Sequence, residues 1–271
     1  MRWEGAEQPA HAPPGPGGWL RVVLRALPLA ILVFGCLVLL LLIRLVERPF
    51  HGARRPWTPH ITQFVCRSAF RILGMTRRSV GVPMAGPGAV VANHVSWLDI
   101  FALNAGQRVT FVSKSEVAGW PGIGWLARAT GTLFIDRDRR AAGRQVDMIR
   151  ERIGTGELLC FFPEGTSTDG LQVLPFRTTL FAAFFAPGLD SLTIQPVTLS
   201  YTAPDGEDAR FYGWWGDASF GAHLVTTLAA RSPGAVTLTY HPPLAIGEAV
   251  SRKTLAADLE SAVRAGLSAP R

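Results

Sequence analysis

The stretch A-N-H-V-S-W-L-D-I, Ala92 to Ile100, decides how this chain is read, because it sets an imidazole and a carboxylate five residues apart at the end of an apolar run. That run, Gly88 to Ala92, reads as a buried strand. On one unbroken helix His94 and Asp99 would point about 140° apart, since each residue turns roughly 100°. They meet only if the backbone changes course between them. A strand end carrying His94, followed by a helix with Ser96 as N-cap and Asp99 in its first turn, supplies that change. The carboxylate then receives one imidazole N–H and leaves the other ring nitrogen able to take a proton from a hydroxyl. The same residues also fit a hydrogen-bonded histidine beside an acid that a helix N-terminus favours. Spacing alone leaves both open.

Downstream, short apolar runs alternate with helical stretches. Strands are expected at Ala89 to Ala92, Val109 to Val112, Thr132 to Ile135, Leu158 to Phe162, Thr193 to Leu199 and Val236 to Tyr240. Helices are expected at Trp97 to Asn104, Ile123 to Arg128, Ala141 to Ile153, Thr178 to Phe185, His223 to Ala230 and Arg252 to Leu267. This is an α/β pattern with a central, largely parallel sheet flanked by helices. Asn93, His94, Arg137 and Glu164 all fall just past strand ends, the edge at which open α/β sheets bind ligands. The last helix reads as a solvated amphipathic cap without a catalytic role.

Upstream, residues 1–18 are rich in proline and glycine and are expected to be a disordered tail. Residues 19–48 form a membrane-anchoring helix around the apolar run Ala26 to Ile43, with Arg21, Arg25, Arg44 and Arg48 snorkelling at its ends. The run is too long for a signal-peptide core, and Arg44 stands where small cleavage-site residues belong. Arg44, Arg48, Arg54 and Arg55 outweigh Arg2, Arg21 and Arg25, which puts the catalytic side on the cytoplasmic face of the inner membrane. A monotopic hairpin bent at Pro28 or Pro49 keeps it there too. Residues 49–79 combine a linker with a basic amphipathic helix, Ile61, Phe64, Val65, Ala69, Ile72 and Leu73 on one face and Arg67 and Arg71 on the other, read as an interfacial element. Residues 80–271 are the catalytic domain.

Composition narrows the function classes. A hydrophobic content of 48%, mean hydropathy of +0.22, net charge of +7 and pI near 10.1 call for an anionic partner. No helix-turn-helix, RNP-like or zinc-finger pattern points to nucleic acid, whereas an anionic membrane surface fits the apolar segments. The three cysteines sit in apolar runs at no metal or redox spacing, and the six histidines form no ligand pattern such as H-E-x-x-H. A lipid hydrolase wants an activated nucleophile, and G-x-S-x-G is absent. A non-catalytic membrane adaptor would explain the anchor and the eight tryptophans, but not why His94 and Asp99 accompany Glu164 and Arg137.

Further along, Gly131 to Arg140 reads G-T-L-F-I-D-R-D-R-R, Phe161 to Gly170 reads F-F-P-E-G-T-S-T-D-G, and Pro196 and Val197 follow as a pair. With N-H-x-x-x-x-D at Asn93 to Asp99, these blocks resemble, in order, the marks of the glycerolipid acyltransferase family. The resemblance spans roughly Val80 to Thr202. It implies an O-acyltransferase of the 1-acylglycerol-3-phosphate type, moving a fatty acyl group from acyl-CoA or acyl carrier protein to the free hydroxyl of a lysolipid. The partners it implies are that lysolipid, the acyl donor and the bilayer. The thioester is already activated, so no metal or further cofactor is implied. The family's commonest acceptor, 1-acyl-sn-glycerol-3-phosphate, is the one the resemblance leads us to expect first, giving phosphatidic acid for phospholipid biosynthesis, with lyso-ornithine lipid as the alternative. In this light His94 is the base and Asp99 its orienting partner. Arg137 holds the acceptor phosphate, Lys114 adds a second cation, and Glu164, Gly165 and Thr166 bind the acceptor, with Glu164 accepting from its glycerol or headgroup donors. Backbone N–H groups near Gly165 are the candidate oxyanion donors.

One departure stands out. Phosphatidic-acid-forming members usually continue F-P-E-G-T with arginine, and here that position is Ser167. Losing one charge-assisted bond costs about 1.5–3 kcal/mol of acceptor affinity unless another group such as Arg177 replaces it. F-P-E-G-T-S-T-D-G together with Y-G-W-W-G-D, Tyr212 to Asp217, resembles the lyso-ornithine-lipid acyltransferase branch instead. Its acceptor has no phosphate and carries an amino group, for which Asp169, Glu207 and Asp217 are candidate partners.

Overall fold

The computed structural model describes residues 3–5, 7–136, 142–185, 189, 192–248 and 251–268. Its centre is an eight-stranded sheet. The strands are β1 (Thr76–Val80), β2 (Gly88–Ala92), β3 (Thr110–Lys114), β4 (Leu133–Ile135), β5 (Leu158–Phe161), β6 (Thr193–Thr202), β7 (Ala235–Tyr240) and β8 (Leu244–Ala245). They run in the order β1-β7-β6-β2-β5-β3-β4, with β8 paired to β6. From β6 to β4 every neighbouring pair is parallel. The sheet reverses only where β7 and β8 meet β6, and β1 then pairs parallel to β7. The largely parallel sheet expected from the sequence is therefore present, and its parallel part holds the strand ends that matter.

Helices α1 (Pro16–His51), α2 (Thr58–Leu73), α3 (Leu98–Gly106), α4 (Ile123–Thr130), α5 (Ala142–Gly154), α6 (Phe220–Ala229) and α7 (Arg252–Ser268) complete the fold. Strand alternation splits the interior into two cores. Val90, Ala92, Cys160, Leu199 and Tyr201 face α2, α3 and α6, and Ala89, Val91, Leu159 and Phe161 face α7 and the segment Thr178–Phe185. That segment winds as a 3-10 helix, not the α-helix its apolar run suggested.

Several boundaries move. β1, T-R-R-S-V, is an exposed edge strand, so it shows no apolar run, and it carries the sheet back to Thr76, before the boundary placed at 80. Its charged side chains are what an unpaired sheet edge tolerates. The tail read as disordered lies against the domain: the Trp3 ring is 5.8 Å from that of Trp215, the Gln8 amide donates to the Trp215 carbonyl at 2.7 Å, and Pro16 to Gly18 already belong to α1. The buried stripe of α2 is Cys66, Ala69, Phe70 and Leu73, which leaves Phe64 outward. Arg67, expected to face lipid, donates to the Ala105 carbonyl of α3 at 2.9 Å. Nor is α7 merely a solvated cap, since Glu260 accepts the Phe176 backbone N–H at 2.7 Å.

α1 is the one helix among the described residues long and apolar enough to cross a membrane, and Leu20, Leu24, Leu27, Ile31 and Phe34 stand exposed along it. It is tied to the rest of the fold near both ends, to α6 at one and to the start of α2 at the other. Arg21 and Arg25, read as snorkelling charges, instead cap the carboxyl end of α6: Arg21 Nε donates to the Ala229 carbonyl at 2.7 Å, and Arg25 to those of Leu228 and Ala230 at 2.8 and 2.6 Å. At the other end Glu47 is fully buried and accepts the Trp57 and Thr58 N–H groups at 2.7 and 3.1 Å and the Thr58 hydroxyl at 2.9 Å, capping α2. Arg21 and Glu47 lie about 39 Å apart along the axis. α1 therefore runs along the domain.

Candidate active site

His94 sits just past β2, and Asp99 lies in the first turn of α3. His94 Nδ1–H donates to Asp99 Oδ2 at 2.7 Å. The change of backbone course demanded by the spacing is thus present, but Ser96 does not cap the helix. Its hydroxyl is buried without a hydrogen-bond partner among the described residues. Instead, Asp99 Oδ2 reaches back to accept the Val95 and Ser96 N–H groups at 2.7 and 2.9 Å. Both groups precede the helix, so this first-turn carboxylate pins the β2–α3 junction that carries His94. Asp99 Oδ1 accepts from the Tyr201 hydroxyl at 2.7 Å. Asp99 has no solvent exposure, so four donors replace its water and fix its plane.

The imidazole is held from its face as well. Phe162, just after β5, stacks on His94 with ring centroids 4.0 Å apart and planes 11° apart. With Nδ1 committed to Asp99 and 21% of the side chain exposed, Nε2 is the nitrogen left for a substrate. Asn93 beside it is structural, exchanging both amide atoms with the Leu199 backbone at 2.9 and 2.8 Å.

Glu164 is not where an acceptor ligand would meet it. The side chain is 2% exposed, with Oε1 accepting the His94 backbone N–H at 2.7 Å and Oε2 the Leu174 N–H at 2.7 Å. Burial pushes its carboxyl up to about 8, against the pull of these two N–H groups. Glu164 ties the loop after β5 to the loop that carries the imidazole. Gly165 follows in a left-handed turn at φ 72°, and a Cβ there would lie 2.8 Å from Arg177 Nε. Its own N–H donates to the Phe162 carbonyl at 3.0 Å, so it is not available as an oxyanion donor.

Lys114 ends β3 with Nζ donating to the Gly165 carbonyl at 2.6 Å. Thr166 is half-buried on the same loop, its hydroxyl 3.4 Å from the Ser167 carbonyl. Ser167 donates its hydroxyl to the Trp214 carbonyl, and the Trp214 N–H donates to the Val95 carbonyl at 2.9 Å. Arg177 is half-buried, with Nε donating to the Glu164 carbonyl at 3.2 Å. Arg137 lies outside the described residues. The carboxyl edge therefore brings together His94, Asp99, Glu164, Gly165, Thr166 and Lys114. Sequence reasoning missed Tyr201 and Trp214, which come from distant segments. The Y-G-W-W-G-D block was the only hint of the second, and nothing in the sequence pointed to the first.

Comparison with known proteins gives the same picture. Residues 76–200 match a family model described as Acyltransferase. A lyso-ornithine lipid O-acyltransferase of Rhodobacter capsulatus is 56% identical over 98% of this chain and 96% of its own length. A 1-acyl-sn-glycerol-3-phosphate acyltransferase of Neisseria gonorrhoeae is 38% identical, over 39% of this chain and 42% of its own. The crystal structure of the 1-acyl-sn-glycerophosphate acyltransferase PlsC from Thermotoga maritima superposes with a TM-score of 0.65 at 20% identity, covering 92% of this chain and 94% of that one, which speaks for the fold.

Proposed function

We propose, because this chain belongs to the glycerolipid acyltransferase family and is an O-acyltransferase of lysolipids, that its acceptor is lyso-ornithine lipid and its donor an acyl thioester, acyl-CoA or acyl carrier protein. The observation that carries the chemistry is the buried Asp99 carboxylate 2.7 Å from His94 Nδ1. An alcohol is a poor nucleophile at neutral pH, and a positioned base contributes about 10²–10⁴ in rate. His94 Nε2 takes the proton from the acceptor hydroxyl as its oxygen attacks the thioester carbonyl. The tetrahedral oxyanion collapses, the C–S bond breaks, and the imidazolium returns its proton to the leaving thiolate. Asp99 keeps the bare nitrogen turned outward and stabilises the transient cation. With the Gly165 N–H engaged, the Thr166 and Ser167 N–H groups are the next candidate oxyanion donors on that loop.

The sequence puts 1-acyl-sn-glycerol-3-phosphate first and lyso-ornithine lipid second; the 56% identity to the Rhodobacter capsulatus enzyme over nearly its whole length favours the second. Ser167 adds to this. At the position where phosphate-handling members carry arginine, its hydroxyl serves the Trp214 carbonyl. Membrane association follows from lipid-modifying relatives together with the apolar α1. Contact near both ends of α1 favours a helix lying in the cytoplasmic interface over one crossing to the far side. The test supplies detergent-solubilised protein with labelled acyl thioester and each lysolipid in turn, and reads products by mass. Ornithine lipid is expected. Phosphatidic acid as the sole product would overturn the acceptor assignment and leave the reaction class standing.

A further inference from the structure

On the opposite edge of the sheet from His94, the amino ends of β3 and β5 and the turn between α1 and α2 enclose a cleft of about 700 Å³. It has no part in the chemistry described above. Its walls include Arg54, Arg55, Arg108 and His60. The one carboxylate among the lining residues, Glu157, is already engaged: Oε1 accepts from Arg152 at 2.6 Å and Oε2 from the Thr110 hydroxyl at 2.7 Å. The cationic excess is therefore not neutralised internally.

Two side chains in this wall carry buried polar atoms without hydrogen-bond partners among the described residues, although Arg55 also donates from Nη1 to the Ala129 carbonyl at 2.6 Å. Gln107 is 8% exposed, yet both its Oε1 and Nε2 are unpartnered, and Arg55 Nε is unpartnered beside it in the lining. An unpaired buried amide is disfavoured in a folded protein, and a ligand that supplies its partner removes that penalty. Apolar side chains at the α1–α2 turn flank the lining residues: Phe50, next to His51, is 76% exposed, and Trp57, whose ring lies 5.1 Å from that of His51, is 45% exposed. Cationic donors inside and apolar residues at the rim match a phosphate attached to acyl chains better than a free anion.

We propose that this cleft is a second lipid site, taking the phosphate headgroup of an anionic phospholipid, with Arg54, Arg55 and Arg108 supplying charge and Gln107 turning its amide onto the headgroup. It is separate from the acceptor site and does not rest on the acceptor assignment. The headgroup holds the α1–α2 turn to the bilayer surface and sets the height of the catalytic edge above it.

The test is native mass spectrometry of the full chain in detergent micelles titrated with phosphatidylglycerol, phosphatidylcholine or inorganic phosphate. Phosphatidylglycerol is expected to be retained on the order of ten-fold more tightly than phosphatidylcholine, whose phosphate is the same but whose choline cation the arginines repel. Arg108→Ala and Gln107→Leu are each expected to weaken it several-fold. Gln107→Leu changes no charge, so it separates a built site from general attraction to an anionic surface. It should also raise the melting temperature of the lipid-free protein, because the unpartnered amide is gone. Unchanged phosphatidylglycerol retention in Gln107→Leu would overturn the proposal. Displacement of the lipid by millimolar inorganic phosphate would overturn the lipid as occupant and make the cleft a site for free phosphate.

Discussion

Replacing Glu164 by glutamine separates two accounts of the F-P-E-G-T loop. If Glu164 binds the acceptor, Glu164→Gln should raise KM and leave the fold alone. The geometry says otherwise, since both carboxylate oxygens accept backbone N–H groups, from His94 and Leu174, at 2.7 Å each in a side chain that is 2% exposed. An amide offers only one oxygen, so one of the two N–H groups would face an NH₂. Losing one hydrogen bond and leaving its donor buried costs about 1–3 kcal/mol. For a domain of this size that is a fall in Tm of roughly 2–12 °C. The anchor freed is the backbone of the proposed base, and a displacement of about 1 Å there costs on the order of 10² in kcat. Thermal unfolding in detergent and steady-state acyl transfer read both effects. The pH dependence supplies a further check. The folded carboxyl is pushed up to about 8 from its ordinary 4.5, so the folded state binds the proton more tightly than the unfolded state. Its contribution to stability is complete below the unfolded value and is lost as pH rises through about 8, and the glutamine variant should lack that decline. Wild-type Tm and kcat with a raised KM would refute the anchoring role.

Other consequences are equally direct. Tyr201→Phe removes the donor to Asp99 Oδ1; kcat should fall roughly ten-fold, as for a lost bond to a charged group, with KM near the wild-type value. A raised KM at wild-type kcat would deny Tyr201 a positioning role. Arg25→Ala opens the carboxyl end of α6 and should destabilise the protein by about 1–3 kcal/mol in thermal unfolding, with little change in KM. Burial pushes the Cys66 thiol up to about 12 and the Cys160 thiol also upward, so a thiol-directed reagent should modify neither until the chain unfolds.

The catalytic pair was legible because its spacing forbids contact on a continuous helix, which forces a strand-to-helix junction between His94 and Asp99. The parallel sheet was legible from its near-continuous apolar strands, β2 being buried at every position. What stayed hidden depends on contacts that sequence order does not encode. Tyr201 reaches Asp99 from 102 residues away. Glu164 looked like a ligand because a buried carboxylate needs partners, but the partners are backbone N–H groups that only the fold supplies. Ser96 looked like an N-cap by residue type, yet its hydroxyl bonds no helix N–H, and Asp99 pins the junction before the helix instead. β1 escaped because an edge strand exposed to water needs no apolar run, and Arg21 and Arg25 looked like membrane flanks because nothing local announces that α6 ends beside them.

The central claim is that His94, oriented by Asp99, draws the proton from a lysolipid hydroxyl. Its most direct measurement is the rate of ornithine lipid formation from acyl thioester and lyso-ornithine lipid by wild-type, His94→Ala and Asp99→Asn proteins that bind the same vesicles equally. The account predicts that both variants lose on the order of 10²–10⁴ in kcat with membrane binding intact. Acyl transfer by His94→Ala at the wild-type rate would contradict it.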